Sequence, residues 1–309
     1  MKWVIAIVGP TAVGKSELAL SLAQTLDGEI VSADSRQVYR YMDIGTAKPS
    51  LEERALVPHH LIDIVNPDET FSLALYQPLA HKAIEDILRR DKLPLVVGGS
   101  GLYVWSVVEG WHIPQVSPDY NFRRQMEEKA AREGISSLYQ QLEEVDPAAA
   151  KKIDPRNMRR VIRALEVYEA THTPFSQLQE KKPPPFNTLI LGLTTSRDEL
   201  YRRIDHRVDD MIKQGLVKEV QALTDRCYGF ELPAMSGVGY KQIGQFLQGK
   251  VDLAAAIQQI KFETHRFARH QYAWFRLNNP RIHWFDIPEQ GESNILPLVE
   301  KEIKGRIRR

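Results

Sequence analysis

Near the start of the chain the apolar run "WVIAIV" passes directly into "GPTAVGKS", Gly9 to Ser16, which opens the pattern "KSELALSLAQTL". No other stretch restricts the fold as strongly. A short, continuous, β-branched run reads as a strand buried on both faces, and Leu18, Leu22 and Leu26 recur at helical spacing. The connecting residues fit G-x-x-x-x-G-K-[ST] in the strand-to-helix context that this motif requires. Glycines there let backbone N–H groups turn toward phosphate oxygens, and the helix adds the positive end of its dipole. Gly9, Thr11, Ala12, Val13, Gly14, Lys15 and Ser16 are therefore the expected cradle, of the kind found in nucleotide-binding proteins. Lys15 supplies a point charge and the Ser16 hydroxyl suits Mg²⁺. Whose phosphate is held, the motif leaves open.

"GEIVSAD", "HHLIDIV" and "LPLVVGG" read as three further strands. "LALYQPLAHKAIEDILRR" is a helix between the last two, with Pro78 tolerated or kinking it. Strands alternating with helices imply a mostly parallel sheet covered on both faces. From about residue 115 to 185 no strand pattern occurs. Charged helical segments fall around 119–133, 136–145 and 155–170, and the breaker "KKPPPFN" follows. The β pattern resumes in "TLILGLTT" and again in "RIHWFDI", with residues 198–276 mainly helical. The expected fold class is α/β, a P-loop NTPase-like sheet with flanking helices. Residues 1–114 and 186–309 would form the catalytic core and 115–185 an all-helical insertion, since the strands on either side need partners in one sheet. "KKPPP" reads as a linker and "KGRIRR" as a tail.

Among 309 residues the net charge is only +1, so affinity for nucleic acid has to come from local clusters. The single cysteine, Cys227, excludes an internal disulfide, and the nine histidines lack metal-ligand spacing. The opening apolar run is too short for a signal peptide, and no run approaches the ~18 apolar residues of a membrane span. A cytoplasmic location with no obligate protein partner is the expectation.

A nucleotide hydrolase pairs its phosphate loop with a strand ending in Asp. Here "LPLVV" leads into "GGSGLY", which holds no carboxylate; the acid is Asp34, after the second strand. At the carboxyl rim of an open α/β sheet Asp34 would face the loop and could deprotonate a nucleophile. It could equally cap the next turn through N–H groups, and the residues alone leave both open.

"GPTAVGKS", "ADSRQVYRYMDIGTAKP", "HHLIDI", "GGSGLY", "RALEV" and "GVGYKQ" occur in an order and spacing that resembles the tRNA dimethylallyltransferase family over nearly the whole chain. The resemblance implies transfer of a dimethylallyl group from its diphosphate to the exocyclic amine of the adenine 3′ of the anticodon. The loop would then grip a leaving diphosphate, with no nucleotide consumed. It implies Asp34 as general base, a role worth ~10²–10⁴ in rate, with Lys15 and the Ser100 hydroxyl, where the family usually has Thr, as catalytic partners. Arg203 and Arg207, four residues apart in "ELYRRIDHRVDDM", are implied diphosphate contacts, Arg203 being preferred. The implied partners are dimethylallyl diphosphate and the tRNA anticodon stem-loop, with Mg²⁺ on Ser16.

Contacts to tRNA are implied for Asp34, Ser35, Arg36, Gln37, Ser100 and Arg123, and for Gly237, Gly239, Tyr240 and Lys241 in the glycine turn. Arg36 replaces the commoner Met, and simple solvent exposure competes with a phosphate contact there. "KKIDPRNMRRVIR" carries six basic residues against Asp154. On a helix starting near 155, Arg156, Arg160 and Arg163 share a face and, with Arg159, suit phosphate tracking. Phe262, Tyr272, Trp274 and Phe275 of the long basic-aromatic run read as core residues. Competing functions are isopentenyl transfer to a free adenine nucleotide, a small-molecule kinase, and a non-catalytic RNA-binding switch. The inserted basic stretch favours an RNA acceptor.

Overall fold

A computed structural model describes residues 2–178, 181–287 and 295–307. Six strands form one sheet: β1 (Trp3–Val8), β2 (Gly28–Ser32), β3 (His59–His60), β4 (Leu93–Val97), β5 (Asn187–Thr194) and β6 (Ile282–Asp286). They lie in the order β3-β2-β4-β1-β5-β6, and every pairing is parallel. β1 is central, and Val4 to Val8 are fully enclosed, which explains an unbroken apolar run without alternation. Of "HHLIDIV" only His59–His60 pair as strand. Leu61 and Asp63 adopt left-handed backbone conformations that turn the chain out of the sheet. The short strand is tied down where His60 meets the buried Glu29, whose carboxyl Arg90 holds down to about pKa 2.

The helices of the sheet-bearing unit are α1 (Lys15–Thr25), α2 (Leu51–Leu56), α3 (Leu73–Arg89) and α4 (Gly101–Val108), with five more following the insertion. In the insertion lie α5 (Tyr120–Glu133), α6 (Ile135–Val145), α7 (Pro147–Ala150) and α8 (Met158–Thr171). The later five are α9 (Arg197–Gln214), α10 (Leu216–Asp225), α11 (Tyr240–Leu247), α12 (Leu253–Trp274) and α13 (Ile295–Ile307). Pro78 sits inside α3 without ending it. "KGRIRR" is helical through Ile307; its last two residues lie outside those described.

The chain divides into two compact units, Met1–Val108 with Pro184–Arg309, and Glu109–Pro183. In the first, Ile5 and Ile7 of β1, Leu95 of β4, Leu191 and Leu193 of β5 and Leu18 and Leu22 of α1 share one core. In the second, Leu138 and Leu142 of α6 pack on Val161, Ile162 and Leu165 of α8. The buried stripe of α8 fixes its outward face, which carries Arg159 and Arg160. This helix begins at Met158, with Asn157 as its cap. Arg156 therefore lies before it, hydrogen-bonded to Asp154, and the three-arginine helical stripe reduces to Arg160 and Arg163.

Candidate active site

The phosphate loop crosses from β1 to α1 in a conformation that few residues tolerate. Gly9 and Gly14 have φ of 142° and 101°, and a Cβ on Gly9 would sit 2.4 Å from the Leu193 carbonyl oxygen. Gly14 is the N-cap of α1 and brings no side chain to it. Among the described residues the N–H groups of Val13, Gly14, Lys15 and Ser16 donate to no protein acceptor. Four convergent donors at a helix N-terminus form a site for an anion. Thr11 differs: its N–H is taken by Gln271 Oε1 at 2.8 Å, so its place in the cradle is structural on the backbone side.

Lys15 folds back so that Nζ donates to the Pro10 carbonyl at 2.6 Å. Desolvation, then the nearby Arg207 cation, lower its pKa to about 7, against the opposing pull of the Asp34 carboxylate. Two cations and one carboxylate thus share the mouth of the loop. Desolvation also lowers Arg207, again opposed by Asp34. Arg207 makes no direct hydrogen bond or ion pair among the described residues. Arg203, the preferred arginine on sequence, has its Nε on Glu199 Oε1 at 2.6 Å. Glu199, buried at the start of α9, thus takes Arg203, while Arg207 sits in the field of the loop.

Asp34 follows β2. Its Oδ1 accepts the N–H groups of Arg36 at 2.8 Å and Gln37 at 3.4 Å, so the capping alternative is realised. Its Oδ2 has no hydrogen bond among the described residues. One oxygen fixes the carboxylate and the other is left for chemistry, so the two readings are compatible. The Ser100 hydroxyl accepts the Ser35 N–H at 3.2 Å and lies 3.5 Å from the Ser35 hydroxyl. This close approach of the ends of β2 and β4 needs glycine at 98, since a Cβ there would stand 2.2 Å from Ala33 O.

Several residues expected to meet RNA have other tasks. Arg36 donates to the carbonyls of Pro233 at 2.7 Å and Ala234 at 3.2 Å and to Ser236 Oγ at 3.2 Å. It is therefore not simply free in solvent, but straps the Asp34 loop to the turn before "GVGYKQ". The Gln37 amide accepts from Ser32 Oγ at the end of β2 and donates to the carbonyls of Thr46 and Ala47. Tyr240 is 1% exposed and donates to Glu219 Oε1 at 2.6 Å, so it belongs to the core beneath the glycine turn. Gly237 and Gly239 are buried too, and Lys241 is the exposed side chain of that group.

In the inserted unit, Arg123 grips both oxygens of the buried Glu166 at 2.8 Å, and Arg163 meets Glu166 at 2.6 Å and Val116 O at 3.0 Å. Burial acts against ionisation, but these arginine hydrogen bonds hold the Glu166 carboxyl below its ordinary range. The geometry makes both arginines an internal brace for Glu166. Arg159 and Arg160 are exposed without a side-chain partner among the described residues. Phe262, read as core, is 61% exposed, whereas Phe275 is buried. No group of three or more His, Cys, Asp or Glu side chains suited to a metal occurs among the described residues; the Ser16 hydroxyl, in the first turn of α1, is an oxygen donor of the kind Mg²⁺ takes.

One buried polar residue escaped sequence reading. Gln271 on α12, 4% exposed, bonds Thr11 N–H and Gly99 O together. Within the run "THRFARHQYAWFR" it carries no pattern of its own, and Thr11 is far away in sequence.

An all-parallel sheet with a strand–loop–helix anion cradle, and a carboxylate at the neighbouring strand end, defines a P-loop protein of phosphate chemistry. Residues 37–278 match the family model described as IPP transferase, and 2–57 match isopentenyl transferase. A tRNA dimethylallyltransferase of Herpetosiphon aurantiacus is 58% identical over 279 residues, 90% of this chain and 89% of that one. The solved tRNA isopentenylpyrophosphate transferase of Bacillus halodurans is 40% identical over 100% of this chain and 97% of its own, with TM-score 0.75. A eukaryotic dimethylallyltransferase solved acting on tRNA is 30% identical, covering 99% and 80%, with TM-score 0.81. The chain belongs to the tRNA dimethylallyltransferase family.

Proposed function

We propose that this protein transfers a dimethylallyl group from dimethylallyl diphosphate to the exocyclic amine of the adenine 3′ of the anticodon in tRNA, in the cytoplasm. The observation that carries the reading is the facing pair: an anion cradle with a desolvated lysine, and across from it Asp34 with one oxygen uncommitted. A loop of free N–H groups, Lys15 and Arg207 suit a group that gains negative charge as a bond breaks. The allylic carbon–oxygen bond breaks with its electron pair going to diphosphate. The adenine nitrogen forms the new bond to carbon, and its proton passes to Asp34 Oδ2. The Ser100 hydroxyl, beside Ser35, orients the amine. The Ser16 hydroxyl would help hold Mg²⁺, which would supply charge neutralisation on the leaving group.

The target base has to leave its stack to reach this enclosed chemistry. Arg159 and Arg160 on α8, the adjacent Arg156, and Lys241 supply exposed cations for the RNA backbone. A nucleotide switch leaves Asp34 Oδ2 without a task, and a small-molecule kinase leaves the exposed basic stretch of the insertion and the "DSRQVYRYMDIGTAKP" run unexplained. Incubation with labelled dimethylallyl diphosphate, Mg²⁺ and either unmodified tRNA or AMP decides the acceptor. Label is expected in tRNA with equimolar diphosphate release and no ATP requirement. Label entering AMP alone, or ATP consumption without label transfer, overturns the reading.

A further inference from the structure

Gln271 stands near the end of α12, and its amide is enclosed on all sides. Oε1 accepts the Thr11 N–H at 2.8 Å and Nε2 donates to the Gly99 carbonyl at 3.2 Å. A backbone N–H needs the carbonyl end of the amide and a backbone carbonyl needs the NH₂ end, so one orientation satisfies both. Space for this contact exists because residue 99 is glycine, where a Cβ would stand 1.9 Å from Nε2. The next turn of α12 repeats the arrangement: a Cβ on Gly101 would meet Trp274 Cγ at 2.2 Å, and Trp105 Nε1 donates to Trp274 O at 3.2 Å. Tyr272 adds a third strand end, its hydroxyl 2.9 Å from Thr194 Oγ1 at the close of β5.

The two loops joined by Gln271 serve opposite sides of the reaction. Thr11 belongs to the diphosphate cradle. Gly99 precedes Ser100, whose hydroxyl holds Ser35 beside Asp34. We propose that Gln271 is a positioning residue that sets the spacing between the diphosphate cradle and the Asp34–Ser100 side, holding leaving group and incoming amine in line. This inference rests on the transfer reaction given above. Displacement of reacting groups by about 1 Å costs on the order of 10²-fold in rate. A tie of this kind therefore acts on turnover more than on the binding of either substrate.

The test uses the full chain carrying Gln271→Met, similar in length but without either hydrogen bond, and Gln271→Glu. For Gln271→Met, kcat is expected to fall about 10–100-fold, with donor and tRNA dissociation constants within about threefold of wild type. In Gln271→Glu the ionised carboxylate still accepts from Thr11 but repels Gly99 O. Protonated, it offers one donor and one acceptor and restores both contacts. Burial at position 271 raises such a carboxyl above its ordinary ~4.3, so the ratio of its kcat to that of wild type should climb as pH falls from 8 to 5. A flat ratio, or Gln271→Met turning over at the wild-type rate, overturns the inference. If wild type transfers nothing to tRNA, the functional reading fails, and the tie is read separately by amide hydrogen exchange. Gln271→Met should then speed exchange at the Thr11 amide and in residues 98–101 together, and unchanged exchange there overturns the tie.

Discussion

Lys15 offers a sharp test, because its ionisation is set by the geometry of an anion site. Desolvation, with Arg207 beside it, brings its pKa to about 7. A bound diphosphate favours the charged form and raises that value, so binding takes up a proton wherever the free lysine is neutral. Below pH 7 the lysine is already charged and this coupling fades; above it, affinity falls as pH rises. The free lysine goes from about half charged at pH 7 to about one part in a hundred at pH 9. While the bound lysine stays charged, the donor dissociation constant should weaken by about 50-fold, ~2.3 kcal/mol. The terminal phosphate loses its last proton near pH ~6, so the donor's charge is constant across this window.

Calorimetry of dimethylallyl diphosphate binding, at fixed Mg²⁺ in buffers of differing ionisation enthalpy, reads the proton directly. Uptake of about 0.5 proton at pH 7, approaching one at pH 9, is expected. Lys15→Arg, charged throughout, should bind with little dependence on pH. Zero uptake with a constant affinity from pH 7 to 9 would refute the reasoning. The same lysine acts on folding with a defined sign. The unfolded chain keeps this proton up to about pH 10.4, and the folded chain releases it near 7. The unfolded state therefore holds more protons between those values, and this group makes stability rise with pH across them. Lys15→Met should accordingly raise the melting temperature at pH 7 while abolishing donor binding.

Asp34→Asn keeps an Oδ1 acceptor for the Arg36 and Gln37 amides, so the loop should survive while turnover drops about 10²–10⁴-fold; near-normal single-turnover rates would remove Asp34 as base. Arg160→Ala should lower the salt slope of tRNA binding by about one, measured by filter binding across salt concentrations, with the melting temperature unchanged. Arg163→Ala should instead destabilise the chain by about 1–3 kcal/mol, because an acceptor site on buried Glu166 loses its donor; chemical denaturation separates the two arginines. Arg36→Met should speed hydrogen exchange across residues 233–241 and leave exchange in the phosphate loop unchanged, which mass spectrometry resolves by peptide.

The sheet was legible where burial made the pattern simple. β1, β4 and β5 are enclosed on both faces, so each reads as a continuous apolar run. β3 was over-read because the apolar residues after His60 pack in a turned segment, not in the ladder. The phosphate loop and Asp34 were legible because local spacing determines both. The arginines were not. Arg123 and Arg163 look like Arg159 and Arg160 in sequence, and only Glu166, itself unremarkable in "RALEV", distinguishes an internal brace from an exposed cation. Arg203 and Arg207 differ for the same reason, through Glu199. Gln271 lay beyond reach because its meaning depends on Thr11 and Gly99, which tertiary folding alone brings to it.

The central claim is that a carboxylate fixed through one oxygen by its own loop takes a proton from a purine amine while the glycine loop receives diphosphate. A crystal structure with a tRNA anticodon stem-loop and an unreactive thio-analogue of the donor measures this directly. Asp34 Oδ2 should lie about 2.6–3.2 Å from the exocyclic nitrogen, with Oδ1 still on the Arg36 amide and the phosphates on the N–H groups of residues 13–16. An Asp34 side chain directed away from the base, or phosphates seated outside the loop, would contradict the account.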